Sequence, residues 1–155
     1  DLESFVEKFP NSSLMVEARE QLSQAYTNMA NSHVVIGDHY YSRNVFPAAA
    51  ERYISAFNAK GILENEELTL KKLCLALARS GLYFGEMYRY SSKSERQAIT
   101  DFYKTKHEST LYEAKKYLAD YKAKFPQNSG AISAIEAEVN LIPAIEGEGQ
   151  DQGAN

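Results

Sequence analysis

The chain has 155 residues, of which 44% are hydrophobic and 25% charged, enough for one soluble domain with a real core. A net charge of −4 speaks against a broad nucleic-acid-binding face. The longest aliphatic run, Leu73 to Ala78, is flanked by Lys72 and Arg79 and is far too short to cross a bilayer. The lone cysteine, Cys74, has no internal disulfide partner and reads as a small buried hydrophobe among leucines. The sequence opens at Asp1 with neither an initiator Met nor a signal peptide, so it reads as a fragment or a processed chain.

Residues Asp1 to Lys8 read as the end of a helix whose start lies upstream. Phe9-Pro10-Asn11-Ser12 breaks it, because proline disfavours helix in the residue before it. The same phrase returns as Phe125-Pro126-Gln127-Asn128-Ser129, an internal echo of the kind helical arrays show. From Ser13 to about Arg43 the spacing of Leu14, Ala18, Leu22, Ala25, Met29, Val35, Ile36 and Tyr40 predicts one helix, about 45 Å long. Ser13 is placed to cap its start, and Asn31-Ser32, both weak helix formers, mark where it would break. Ser42 to Val45 form a tight corner, and a second helix carries Phe46, Ala49, Tyr53 and Ala56. Small residues (Gly37, Ala49, Ala56) alternate with large ones (Tyr40, Phe46, Tyr53), which suits two helices in close contact.

A further helix begins at Glu64 or Asn65, is apolar over most of its surface, and is expected to end at Gly81. Its partner is expected only at Thr110, where Thr110-Leu111-Tyr112-Glu113 forms a capping box ahead of Ala114, Leu118 and Tyr121. Residues 83–109 then read as an insertion dense in Tyr83, Phe84, Tyr88 and Tyr90, with a short helix behind a second capping box, Ser94 to Gln97. Those rings suit covering the end of an array; a partner-binding surface is the alternative. A last helix, about Gly130 to Ile142, carries Ile132, Ile135, Val139 and Ile142 and is stopped by Pro143, as a cap on the preceding helices. The polar, glycine-rich residues 144–155 read as a disordered tail.

No arrangement for catalysis emerges. There is no phosphate-binding glycine loop and no Ser-His-Asp or Cys-His spacing. His33 and His39 sit about 120° apart around a helix, a poor arrangement for a shared metal. His33, His39 and His107 all read as surface residues. The chain is expected to be no enzyme and to hold no cofactor or metal.

The stretch from Ala30 resembles a tetratricopeptide repeat, a helix pair of about 34 residues with small and aromatic side chains at set positions. Gly37, Tyr40, Phe46, Ala49, Tyr53 and Ala56 fall in that register. Asn44 takes the place of the usual corner glycine, His33 that of the usual Trp, and Gly61 that of the closing Pro. The resemblance implies an all-α, helical-hairpin solenoid over residues 1–143, with one long helix and a C-terminal capping helix, and with N-terminal repeats missing. A sharper resemblance covers about Phe5 to Phe57: Ala30, Val35, Gly37, Tyr40, Tyr41, Arg43, Phe46, Ala48, Ala49, Arg52 and Tyr53 are similar to the pattern of the BamD-like lipoproteins. Beyond Gly61 that pattern is lost. The resemblance implies a non-catalytic interaction scaffold of the outer-membrane β-barrel assembly machinery, lipid-anchored on the periplasmic side of the bacterial outer membrane. The implied partners are the periplasmic domains of the β-barrel insertase, other assembly subunits and unfolded outer-membrane proteins, with no nucleic acid. Membrane attachment would run only through a lipid anchor outside this chain. Arg52, Arg43, Tyr41 and Asp38 are the implied partner-binding residues. Two alternatives stay open: a cytoplasmic tetratricopeptide adaptor that holds peptide carboxylates, and a structural repeat protein of another envelope system. In the adaptor, Val34 and Asp38 would stand where Lys and Asn are needed, and an acid there would repel the ligand.

Overall fold

A computed structural model of the chain describes residues 1–93 and 96–144. The described residues form six helices and no strand: α1 (Leu2–Lys8), α2 (Met15–Ser42), α3 (Phe46–Asn58), α4 (Glu66–Ser91), α5 (Gln97–Lys124) and α6 (Ser129–Asn140). They fall into two compact units, Asp1–Thr69 and Leu70–Asn155. The fold class expected from the sequence, all-α with helices packed as hairpins, is the one observed.

In the first unit, the Asp1 carboxylate accepts from the Ser4 amide at 2.8 Å and caps α1, which lies against the start of α2. No side chain caps α2: its first residue follows Leu14, and Ser12, not Ser13, accepts from the Leu14 amide. The helix runs unbroken through Asn31-Ser32. Asn31 is a weak helix former, but here its side chain is tied down. Its amide nitrogen donates to the carbonyls of Thr27 and Ile62, both at 3.0 Å, and its oxygen accepts from the Glu64 amide at 3.1 Å. These bonds clip the loop after α3 onto α2. Gly61 lets that loop lie flush, since a Cβ there would come within 2.3 Å of the Tyr26 carbonyl oxygen.

The corner between α2 and α3 closes as a Schellman turn. The Val45 amide donates to the Tyr40 carbonyl at 3.0 Å and the Asn44 amide to that of Tyr41 at 3.0 Å. Asn44 takes φ 60°, the left-handed conformation that asparagine tolerates better than most residues. The corner turns α3 back along α2, with Gly37 of α2 facing Tyr53 of α3. Ala30, Ala49 and Tyr53 are all fully buried, so small residues let the backbones close and one ring fills the space left. Burying a side chain of that size contributes about 1.5–3 kcal/mol.

In the second unit, α4 does not end at Gly81 but continues to Ser91. Gly81 and Gly85, one turn apart, cut a notch in its surface. A Cβ at Gly81 would lie 2.8 Å from Cδ1 of Ile142, and one at Gly85 would lie 2.9 Å from Cε1 of His107. The glycines admit neighbours and do not stop the helix. Nor does α5 begin at the Thr110 capping box: it is continuous from Gln97, and Thr110 is buried on its inner stripe with Thr100, His107, Ala114, Leu118 and Tyr121. Residues 83–91 and 97–109 therefore belong to two long helices. Ser94 and Glu95 of the other expected capping box lie outside the described residues. The closing helix α6 is capped by Asn128, whose oxygen accepts from the Ala131 amide at 3.3 Å. It packs on α5 through Ile135 and Val139, and Lys122 pairs with Glu136 across the contact. The tail expected from residue 144 lies, past Ala144, outside the described residues.

Candidate partner-binding surface

The four residues that the sequence singles out lie on the α2–α3 hairpin, in different settings. Asp38 is half-buried and accepts a hydrogen bond from the Tyr53 hydroxyl at 2.6 Å. Burial first, and this carboxylate second, push the Tyr53 phenol well above its ordinary range, so the hydroxyl stays a donor. Tyr41 is half-buried too. Its ring meets Phe46 edge-on at 5.5 Å between centroids and lies 6.4 Å from Tyr53. Asp38 and Tyr41 are thus brought together on one buried ring. Arg43 sits exposed at the corner with its Nη1 2.6 Å from Nδ1 of His39. Arg52, half-buried on α3, forms no ion pair with a described residue.

A second feature of α2 is an apolar face that its helical spacing marks out and that is only partly covered. At 100° per residue Ala18, Met29 and Ile36 fall within about 20° of one another. Ala18 is 6% exposed beneath α1, but Met29 is 45% and Ile36 38% exposed; Val35, about 100° further round the helix, is 69% exposed. The stripe that α1 covers at its start emerges bare over the last three turns. Spacing alone gives no signal of this, because it reports which residues share a face and not what lies across from it.

The groups that could carry chemistry are separated. Among the described residues no three His, Cys, Asp or Glu side chains come together to hold a metal. The Cys74 thiol is fully buried and pushed up to about 12, chiefly by burial and then by the Asp120 carboxylate, so it is not a nucleophile at neutral pH. No described helix is long and apolar enough to cross a membrane. His107 departs from the surface position expected of it: it is 1% exposed, because both ring nitrogens find backbone carbonyls inside the second unit. His39 is exposed, and Nδ1 of half-buried His33 has no hydrogen-bond partner among the described residues.

No protein-family model, no curated protein and no solved structure matches the chain.

Proposed function

We propose that the protein is a non-catalytic interaction scaffold that holds partners on its α2–α3 hairpin. The observation that carries this reading is the exposed apolar pair Met29 and Ile36 on one face of α2, with Val35 exposed farther round the same helix, while Ala30 and Gly37 are buried. Arg52, with no ion partner among the described residues, supplies a cation on the same hairpin for a partner carboxylate. The BamD-like pattern on Ala30 to Tyr53 supports a finer reading: a subunit of the outer-membrane β-barrel assembly machinery, anchored on the periplasmic side through a lipid outside this chain. Its partners would be the periplasmic domains of the insertase. The cytoplasmic adaptor is disfavoured by Asp38, whose carboxylate would face the ligand's own.

The test is calorimetric titration of the protein with the soluble periplasmic domains of a β-barrel insertase, for wild type, Arg52→Glu and Ile36→Asp. Saturable binding that both substitutions weaken by about tenfold or more, with helicity unchanged by circular dichroism, supports the assembly reading. Binding insensitive to both substitutions refutes this contact surface. No binding at all refutes the finer reading.

A further inference from the structure

The helix α1 shows what one face of α2 accepts. It runs antiparallel to α2: the chain turns back through residues 9–14, and Glu3, near the start of α1, reaches Tyr26, whose hydroxyl donates to its carboxylate. Leu2 and Phe5 of α1 face a gap of about 250 Å³ that Leu14 and Ala18 line from the other side. The contact is a light one, since no residue of α1 is fully buried. Among the described residues its side-chain bonds reach no farther along α2 than Tyr26.

The same face continues past that point. Ile36 lies seven residues after Met29 and Arg43 seven after Ile36, and each step of seven returns to within about 20° of the same direction. Ala18, buried beneath α1, shares that direction. Met29 is 45% and Ile36 38% exposed, and Arg43, which ends α2, is exposed too. Beyond its first residue, the line of α1 therefore points along this row.

The length and charge of the row fix the kind of occupant. Met29 to Arg43 spans about 21 Å of helix, or about four turns. Its near end is apolar and its far end carries the Arg43 guanidinium. The one acid of α2 beyond Tyr26, Asp38, accepts from the Tyr53 hydroxyl on the α3 side. A helix laid antiparallel here would set its positive N-terminal end beside the negative C-terminal end of α2, and acids in its first turn beside Arg43. In miniature α1 has this make-up, with Leu2 and Phe5 on the inner side and acids at Asp1 and Glu3.

We propose that the row Met29, Ile36 and Arg43 binds one amphipathic helix of a partner protein, in line with α1 and antiparallel to α2, with apolar side chains on Met29 and Ile36 and an acidic first turn at Arg43. The contact extends the one that α1 already makes on the same face. Such a helix anchors through apolar residues spaced three, four and seven apart. This inference rests on the α2–α3 hairpin being a binding surface, and it names what that surface takes.

The test is an amide-shift titration of the 15N-labelled protein with an amidated peptide of two tandem copies of the α1 sequence, Leu2–Lys8. A control peptide carries serine in place of each phenylalanine. The expected result is saturable movement of the Met29, Ile36 and Tyr40 signals with a Kd of about 1 mM or tighter, larger than any movement at Ser4 and Phe5 of α1. The control peptide should bind about tenfold more weakly or worse. Ile36→Asp should weaken the first peptide by as much and Arg43→Gln by about threefold, with helicity unchanged by circular dichroism. No saturation by about 10 mM overturns the proposal. So does movement centred on Ser4 and Phe5, which would mean that the peptide displaces α1, and so does equal binding of the serine peptide. The scaffold reading fails separately. Insertase domains that bind and lose affinity in Ile36→Asp, while the peptide does not bind, would keep the surface and overturn the helical partner. Peptide binding without insertase binding supports the helical partner and refutes only the finer assembly reading.

Discussion

Gly37→Ala is the sharpest probe of the hairpin, because two effects of opposite sign meet in one methyl group. Alanine is the better helix former by about 1 kcal/mol, so at a free position the change would stabilise the protein. Here the new Cβ would lie 2.6 Å from Cε1 and 2.8 Å from Cδ1 of Tyr53, closer than carbon atoms tolerate. The ring has nowhere to go: Tyr53 is fully buried, and its hydroxyl is held by Asp38 at 2.6 Å. Overpacking of this kind costs about 1–3 kcal/mol, and tilting the ring away would surrender a charge-assisted bond of about 1.5–3 kcal/mol. The steric side wins, and urea unfolding followed by circular dichroism should show a net loss of about 1–2 kcal/mol. The control is Tyr53→Leu. With the ring gone, Gly37→Ala should become stabilising by up to about 1 kcal/mol, so the cycle should return a coupling of about 2 kcal/mol. If Gly37→Ala stabilises the wild type, or has the same effect in both backgrounds, the assignment of Gly37 to the helix contact is wrong.

The notch in α4 predicts an asymmetry between its glycines. Gly85→Ala should destabilise by about 1–3 kcal/mol, because the His107 ring that it meets is tied at both nitrogens; Gly81→Ala should cost less, because its closest contact, at 2.8 Å, is Cδ1 at the movable end of Ile142, with Cγ1 and Cγ2 farther off at 3.2 Å. Thermal unfolding of the pair checks the order. For Cys74 the folded thiol, pushed up to about 12, titrates above the unfolded value of 9.0. The unfolded chain therefore releases its proton first. The stability that the neutral thiol contributes is fully present below pH 9.0 and is lost as pH rises toward 12, so urea midpoints of wild type should fall across that window more steeply than those of Cys74→Ala. The native thiol should also stay silent to a disulfide reagent at pH 8 until urea is added.

How much of this was legible depended on where the determining atoms lie. The α2–α3 hairpin could be read because its determinants are side-chain size at helical spacing and one residue at φ 60°, all within a few turns of chain. The ends of α4 could not. A glycine in a helical pattern is a stop if nothing crosses it and a contact if something does, and what crosses Gly81 and Gly85 is Ile142 and His107, distant in sequence. His107 reads as surface because a polar residue usually is; its two acceptors are main-chain carbonyls, which no side-chain pattern displays. Thr110-x-x-Glu113 has the form of a helix start, yet the form recurs inside helices by chance, and here Thr110 packs inward at 7% exposed. Met29 and Ile36 show what spacing leaves open: it places them on one face of α2, and their exposure of 45% and 38% depends on what lies across from that face.

The same geometry decides which of the expected partner-binding residues can be tested cleanly. Removing the Asp38 carboxylate would strand the Tyr53 hydroxyl, a buried donor, at a cost of about 1–3 kcal/mol to the fold itself. Truncating Tyr41 would take one ring from the cluster it shares with Phe46 and Tyr53. Lost binding in either variant would report a loosened hairpin as readily as a lost contact. Arg52 carries no ion pair with a described residue, and Ile36 already faces solvent at 38% exposure, so neither substitution removes a described polar contact of the core. A binding defect confined to Arg52→Glu and Ile36→Asp, with the Asp38–Tyr53 bond intact, would therefore locate recognition on the surface of α2 and α3. A defect seen only in Asp38 or Tyr41 variants would return those residues to the architecture of the hairpin.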